Sequence, residues 1–252
     1  MCFFIVTAAL YVVSACAAAA DSLLEVDGHH LKWNASTAAD PTVITYAVLT
    51  GPYSLPADKR ILSPSNCSSM LPFSSIVSKS PGIPGTEVRQ ELRSAFAAWQ
   101  TAAGISFLEV SDPLQANIVV GAQEFAEGRA FTNLSYRVGH TILPVAKALG
   151  KPGSSPSVRP SVQQEGGPAK EIEQSYICLN PQVRWKIGFD GDLEVYDLRY
   201  TFTHEIGHAI GLDHPGSTGS VMSFRYDERV RELQPSDVAA VRSLYGPPKL
   251  GR

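Results

Sequence analysis

Residues 203–214 read Thr203-His204-Glu205-Ile206-Gly207-His208-Ala209-Ile210-Gly211-Leu212-Asp213-His214. His204 and His208 stand four apart, so a helix puts both imidazoles on one face, about 6 Å apart along the axis. Two neutral imidazoles at that separation can bind one Zn2+. Glu205 is angled off that face, toward a water on the metal rather than the metal itself. Gly211 falls where the helix must stop, because Gly takes the left-handed conformation that turns the chain. The turn brings His214 back as a third ligand. Three protein ligands leave a fourth position for water, the pattern of a catalytic zinc rather than a structural one. A five-residue H-E-x-x-H match arises often by chance on a solvated helix. The longer spacing, with Gly at the stop, is far more specific.

Working outward, the motif helix spans about Asp197 to Leu212, and a second helix runs from Pro235 to Leu244. Upstream, Val88, Leu92, Phe96 and Trp99 recur at helical spacing within residues 87–103. β-branched or alternating stretches at 43–48, 105–110, 116–120, 130–134 and 175–179 read as strands. Residues 51–85 and 148–171 are rich in Pro, Gly and Ser and read as long loops. Strands precede the motif helix rather than alternating with helices, so the fold class is α+β, not a doubly wound sheet.

The motif resembles that of the metzincin metalloendopeptidases. Ser220-Val221-Met222-Ser223-Phe224-Arg225-Tyr226 is similar to their Met-turn, the second hallmark. The short gap from His214 to Met222 resembles matrixins, while Pro215 and the run Val221-Met222-Ser223 resemble serralysins. Residues 233–246, from Leu233 to Gly246, are similar to the closing helix of both. The resemblance, to a matrixin-like peptidase of bacterial type, is specific only over 200–246. It implies a mixed twisted sheet, an active-site helix and a small C-terminal subdomain with Met-turn and final helix. It implies one catalytic Zn2+ held by His204, His208 and His214, with Glu205 as the base that activates a zinc-bound water for peptide-bond hydrolysis. It places Phe224 and Tyr226 at the substrate pocket, and the strand at Ala130-Phe131 beside an extended substrate. Met222 would floor the zinc site and Asp237 would hold the Met-turn from below.

The chain also departs from the family pattern. Outside the motif the only histidines are His29, His30 and His140, and the first two precede the domain, so the second, structural zinc of matrixins is not expected. Residues 21–40 hold no cysteine for a latency switch, and no G-G-x-G-x-D repeats follow the domain. Asp190, Asp192, Glu194 and Asp197 have two readings: a Ca2+ site, or, preferred, a solvated loop capping a helix N-terminus.

Residues 1–20 carry no charge and are apolar save Thr7 and Ser14, with Ala18-Ala19-Ala20 as a cleavage site. They read as an export signal. Two other readings stand beside it: an uncleaved membrane anchor, or a lipobox, Val13-Ser14-Ala15-Cys16, with Cys16 lipidated. Domain bounds follow: signal 1–20, short segment 21–40, catalytic domain 41–247, tail 248–252. Export would leave Cys67 and Cys178, which in an oxidising compartment are expected to be bridged, the alternative being two buried thiols. A bridge over so long a loop contributes up to about 4–5 kcal/mol.

The chain of 252 residues has 21 Lys+Arg against 24 Asp+Glu, and no block of five like charges. That excludes a nucleic-acid binder, which needs a basic face. The expected partner is a protein or peptide substrate, acted on by a secreted or periplasmic monomer that meets membrane only through its N-terminus. A second function class stays open: a non-catalytic zinc-binding domain of this fold, or an enzyme dedicated to one cell-envelope partner.

Overall fold

A computed structural model describes residues 22–34, 42–55, 60–61, 66–136, 141–145 and 167–249. The export segment 1–20 with Cys16, His140, residues 148–166 of the second expected loop and residues 250–252 of the tail lie outside these. Strands β1 (Glu25–Val26), β2 (His29–Lys32), β3 (Thr42–Val48), β4 (Tyr53–Ser54), β5 (Arg60–Ile61) and β6 (Ser69–Leu71) precede helix α1 (Gly85–Ala102). There follow β7 (Ile105–Glu109), β8 (Ile118–Gln123), β9 (Ala130–Tyr136), β10 (Thr141–Val145) and β11 (Gly167–Leu179). Short β12 (Trp185–Lys186) and β13 (Tyr196–Asp197) lead into α2 (Leu198–Ala209), and α3 (Pro235–Tyr245) closes the chain.

The central sheet runs β7-β3-β8-β11-β9-β10-β5. Neighbours from β7 to β11 are parallel, and β9 is antiparallel to both β11 and β10. This is the mixed sheet of an α+β fold. Ile118, Val119 and Val120 of β8 are fully buried, as expected of a continuous apolar run in a sheet covered on both faces.

One face of the sheet packs against α1 and α2. The helical spacing of α1 buries Val88, Leu92, Phe96 and Trp99 there, and the Trp99 indole Nε1 donates to the Thr203 carbonyl at 2.8 Å. The motif helix is thus anchored through its own backbone. The other face carries a smaller core of Ala47, Leu49, Met70, Val119, Phe131 and Tyr176 around Cys67 and Cys178. Those two cysteines are joined as a disulfide.

Three segments differ from the sequence reading. The stretch 51–85 holds β4, β5, β6 and a 3-10 turn at Phe73–Val77, because Met70 and Leu71 pair with the end of β8 and Phe73 and Ile76 are buried in the main core. β11 begins at Gly167, inside the expected loop, since its first half pairs with β2. Residues 22–34 show no usable periodicity, yet Leu31 and Trp33 are buried in the main core. Among the described residues, no helix is long and apolar enough to cross a membrane.

Candidate metal centre

Helix α2 starts where Asp197, in extended conformation, accepts the Tyr200 N–H at 2.7 Å and the Gly188 N–H at 2.7 Å. This is an N-cap that satisfies one of the orphan donors of the first turn. It is also what the acidic loop does in part: Asp197 caps the helix. Upstream in that loop, the Lys186 ammonium bonds the Asp190 and Glu228 carboxylates and, at 2.8 Å, the Asp192 carbonyl.

The helix ends as the motif requires. Gly211 has φ +100°, and a Cβ there would collide with the carbonyl of Leu31. Its own carbonyl accepts the Leu24 N–H at 2.9 Å, and the Asp213 N–H donates to the Ser22 carbonyl at 2.7 Å. The N-terminal segment therefore clamps the turn that leads to His214.

His204 and His208 are fully buried and His214 is partly buried. Nδ1 of His204 lies 2.7 Å from the Val221 carbonyl, and Nδ1 of His208 lies 2.8 Å from the Leu212 carbonyl. A carbonyl can only accept, so each Nδ1 carries the ring proton and each Nε2 presents a lone pair. Those Nε2 atoms converge: His204 to His208 is 3.1 Å, and His204 to His214 is 3.1 Å. Converging lone pairs in a buried pocket repel one another unless a cation sits among them, so the donor set fits zinc. Among the described residues, these three form the group that could hold a metal. Burial lowers all three pKa values: His204 to about 3, His214 well below the usual histidine range, and His208 downward against the pull of Asp213.

Glu205 is also buried. Thr132 Oγ1 lies 2.7 Å from its Oε2 and 2.9 Å from its carbonyl O. Burial pushes the carboxyl up to about 8, with the Thr132 hydrogen bond opposing. A dication at the adjacent imidazoles would pull it back down.

Met222 is buried beneath the helix, so close that a Cβ on Gly207 would collide with its Sδ. Asp237 accepts the Val221 N–H at 3.0 Å, the Met222 N–H at 3.3 Å and the Gln234 N–H at 2.8 Å. It ties the turn at 220–223 to the first turn of α3. Phe224 stands edge-on to His214, ring centroids 5.3 Å apart.

One expected pocket feature is corrected. Tyr226 stacks on Tyr196 at 4.3 Å, and its hydroxyl accepts the Asp197 N–H at 3.0 Å and donates to Glu228 at 3.1 Å. It supports the start of α2, and its hydroxyl is not a free donor at the three imidazoles. β10 pairs with residues 132–135 of β9, beyond Ala130 and Phe131, which pair with Leu179 and Cys178 of β11. Both side chains are buried, Ala130 in the main core and Phe131 in the second, beside the disulfide.

A family model described as Matrixin matches residues 71–246. The chain belongs to the matrixin family. Metalloendoproteinase 1-MMP of Arabidopsis thaliana is 30% identical over 172 residues, 65% of this chain and 40% of that protein. Karilysin of Tannerella forsythia is 26% identical over 175 residues, 69% of this chain and 32% of that protein. Matrix metalloproteinase-26 of Homo sapiens is 26% identical over 164 residues, 63% of this chain and 51% of that protein. The chain thus spans about a third to a half of the length of these relatives, which come from a plant, a bacterium and an animal. This matrixin adds residues 22–34 to the region the family model matches, and they reach the metal-site turn. Sequence reasoning missed Thr132, whose signal was a polar residue on the core-facing side of a buried strand.

Proposed function

We propose that this matrixin is a secreted zinc metalloendopeptidase that hydrolyses peptide bonds with Glu205 as base. The observation that carries the reading is the convergence of three imidazole Nε2 atoms, two of them from the helix that carries the buried Glu205 carboxylate beside His204. Zinc bound by His204, His208 and His214 would supply Lewis-acid activation of water and of the scissile carbonyl. Glu205 takes the proton from the attacking water at a carboxylate oxygen and returns it to the leaving amine nitrogen. Val221 and Leu212 hold the imidazoles in the tautomer that leaves Nε2 free. Phe224, packed on His214, forms one apolar wall where a substrate side chain would lie. The disulfide supports an oxidising compartment outside the cytosol.

Glu205→Ala and Glu205→Gln should abolish hydrolysis of a peptide library while metal analysis still finds one zinc per chain. Loss of zinc, or retention of more than a few per cent of activity, would overturn the assignment of Glu205 as base rather than ligand. A second reading, an enzyme of restricted access, is favoured by β10 lying along the β9 edge. A cleavage profile dominated by one or a few proteins would select it over general proteolysis.

A further inference from the structure

Side chains on β9 alternate. Ala130, Leu134 and Tyr136 join the core against the helices, while Phe131 points to the opposite face. Thr132 therefore falls on the helix-facing side and is fully buried. A hydroxyl there must find a partner, since burying it unpaired is costly. Two acceptors within its reach belong to one residue, Oε2 and the carbonyl O of Glu205. Of the two carboxylate oxygens, Oε2 is the one that Thr132 reaches. Thr is β-branched and stiff at χ1, and β9 is held on both sides by β11 and β10. The hydroxyl is thus fixed by the sheet, not by a loop.

We propose that Thr132 is the positioning residue of Glu205, tying Oε2 so that Oε1 is the oxygen that carries the proton. The inference rests on the reading of Glu205 as base. In the cycle, water loses a proton to Oε1 as its oxygen bonds to the scissile carbon. That same proton leaves Oε1 for the amine nitrogen as the C–N bond breaks. The Thr132 proton never leaves Oγ1. When Glu205 is neutral, Oε2 is the carbonyl oxygen of the acid and still accepts, and the main-chain O of Glu205 is an alternative acceptor. The hydroxyl is satisfied in both states without moving. Without it, the terminal torsion of Glu205, which is intrinsically broad, is free to carry Oε1 away from the water.

The test compares Thr132→Val, Thr132→Ser and Thr132→Ala with Glu205→Gln in the zinc-loaded protein. Thr132→Val should lower kcat by about 10- to 100-fold, the scale of a misplaced catalytic group, with KM, zinc content and Tm near parental values. Thr132→Ser should restore kcat to within a few-fold. If Val does not fold, the Ser–Ala pair isolates the hydroxyl: Ser active and Ala slow supports the proposal, and equal rates overturn it. Parental kcat in Thr132→Val beside an inactive Glu205→Gln overturns the proposal and leaves the base reading standing. An active Glu205→Gln defeats the base reading itself. A loss shared by Ser and Val, or one that follows loss of zinc, makes Thr132 merely structural and overturns the proposal.

Discussion

At the scale of single residues, the site combines buried groups whose protonation preferences oppose one another. The imidazoles are held neutral: His204 titrates near 3 in the folded chain against an ordinary 6.5. Its stabilising contribution is present above the ordinary value and is lost as pH falls through the folded one. His208 and His214 act in the same direction. Glu205 is the reverse case, raised from 4.5 to about 8, so its contribution is present below 4.5 and lost as pH rises toward 8. The windows overlap, but below 6.5 the three histidines outweigh the one carboxyl, so with the metal chelated stability should peak near pH ~6.5 and fall on both sides. Denaturant unfolding of chelated protein across the pH range measures this, and Glu205→Gln should remove the alkaline decline. A profile that the substitution leaves unchanged would mean Glu205 does not hold its proton in the fold. The turn beneath the metal makes a second residue-scale contrast. Met222→Leu conserves volume in an apolar floor and should cost less than about 1.5 kcal/mol. Asp237→Ala strips acceptors from buried N–H groups of Val221 and Met222 and should cost about 1–3 kcal/mol. Melting temperature and zinc content, measured side by side, separate the two. A larger loss in Met222→Leu would contradict the roles the packing gives them.

At the scale of elements, what was legible in the sequence is what local physics controls. The motif helix, its stop at Gly211, α1 and α3 follow from helical spacing and from capping, and each sits within a few residues of the expected range. Cys67 and Cys178 were legible as a pair because few cysteines remain in the domain. The misses all depend on long-range pairing. Residues 22–34 have no period to read, because β2 is a four-residue strand whose partner, β11, lies more than a hundred residues on. Tyr226 was assigned to the pocket by the family resemblance alone. Its hydroxyl goes instead to Asp197, a partner set by tertiary packing. The N-terminal segment yields a prediction of its own. Trp33 is buried, and its Nε1 donates to the Ala209 carbonyl at 2.9 Å, at the last turn of α2. Trp33→Ala should cost about 3–5 kcal/mol and weaken zinc retention against a chelator, since Leu31, Leu24 and Ser22 brace the same turn. A chain starting at Pro41, with parental stability and zinc retention, would refute this buttress.

At the scale of the whole molecule, two cores share one sheet, and they are secured differently. The larger core lies under the helices and buries most of the apolar side chains, so packing alone can hold it. The smaller one takes Leu49, Cys67 and Met70 from the described residues of the segment between β3 and β6. The disulfide sits there, joining that segment to β11 across 111 residues of chain. Cross-linking over such a distance removes much of the loop entropy of the unfolded ensemble, up to about 4–5 kcal/mol in the chain-entropy model. Phe131 packs beside the bridge, one residue from Thr132, so loosening this core also loosens the strand that meets Glu205. Reduction should therefore lower Tm by several degrees and lower peptide hydrolysis while zinc stays bound through the larger core. The paired Cys67→Ala, Cys178→Ala protein supplies the control: its Tm should match that of reduced parent and should not respond to reductant. If the parent gains two free thiols on reduction yet keeps its Tm and turnover, the second core is stable without its bridge, and the disulfide stabilises neither that segment nor β9.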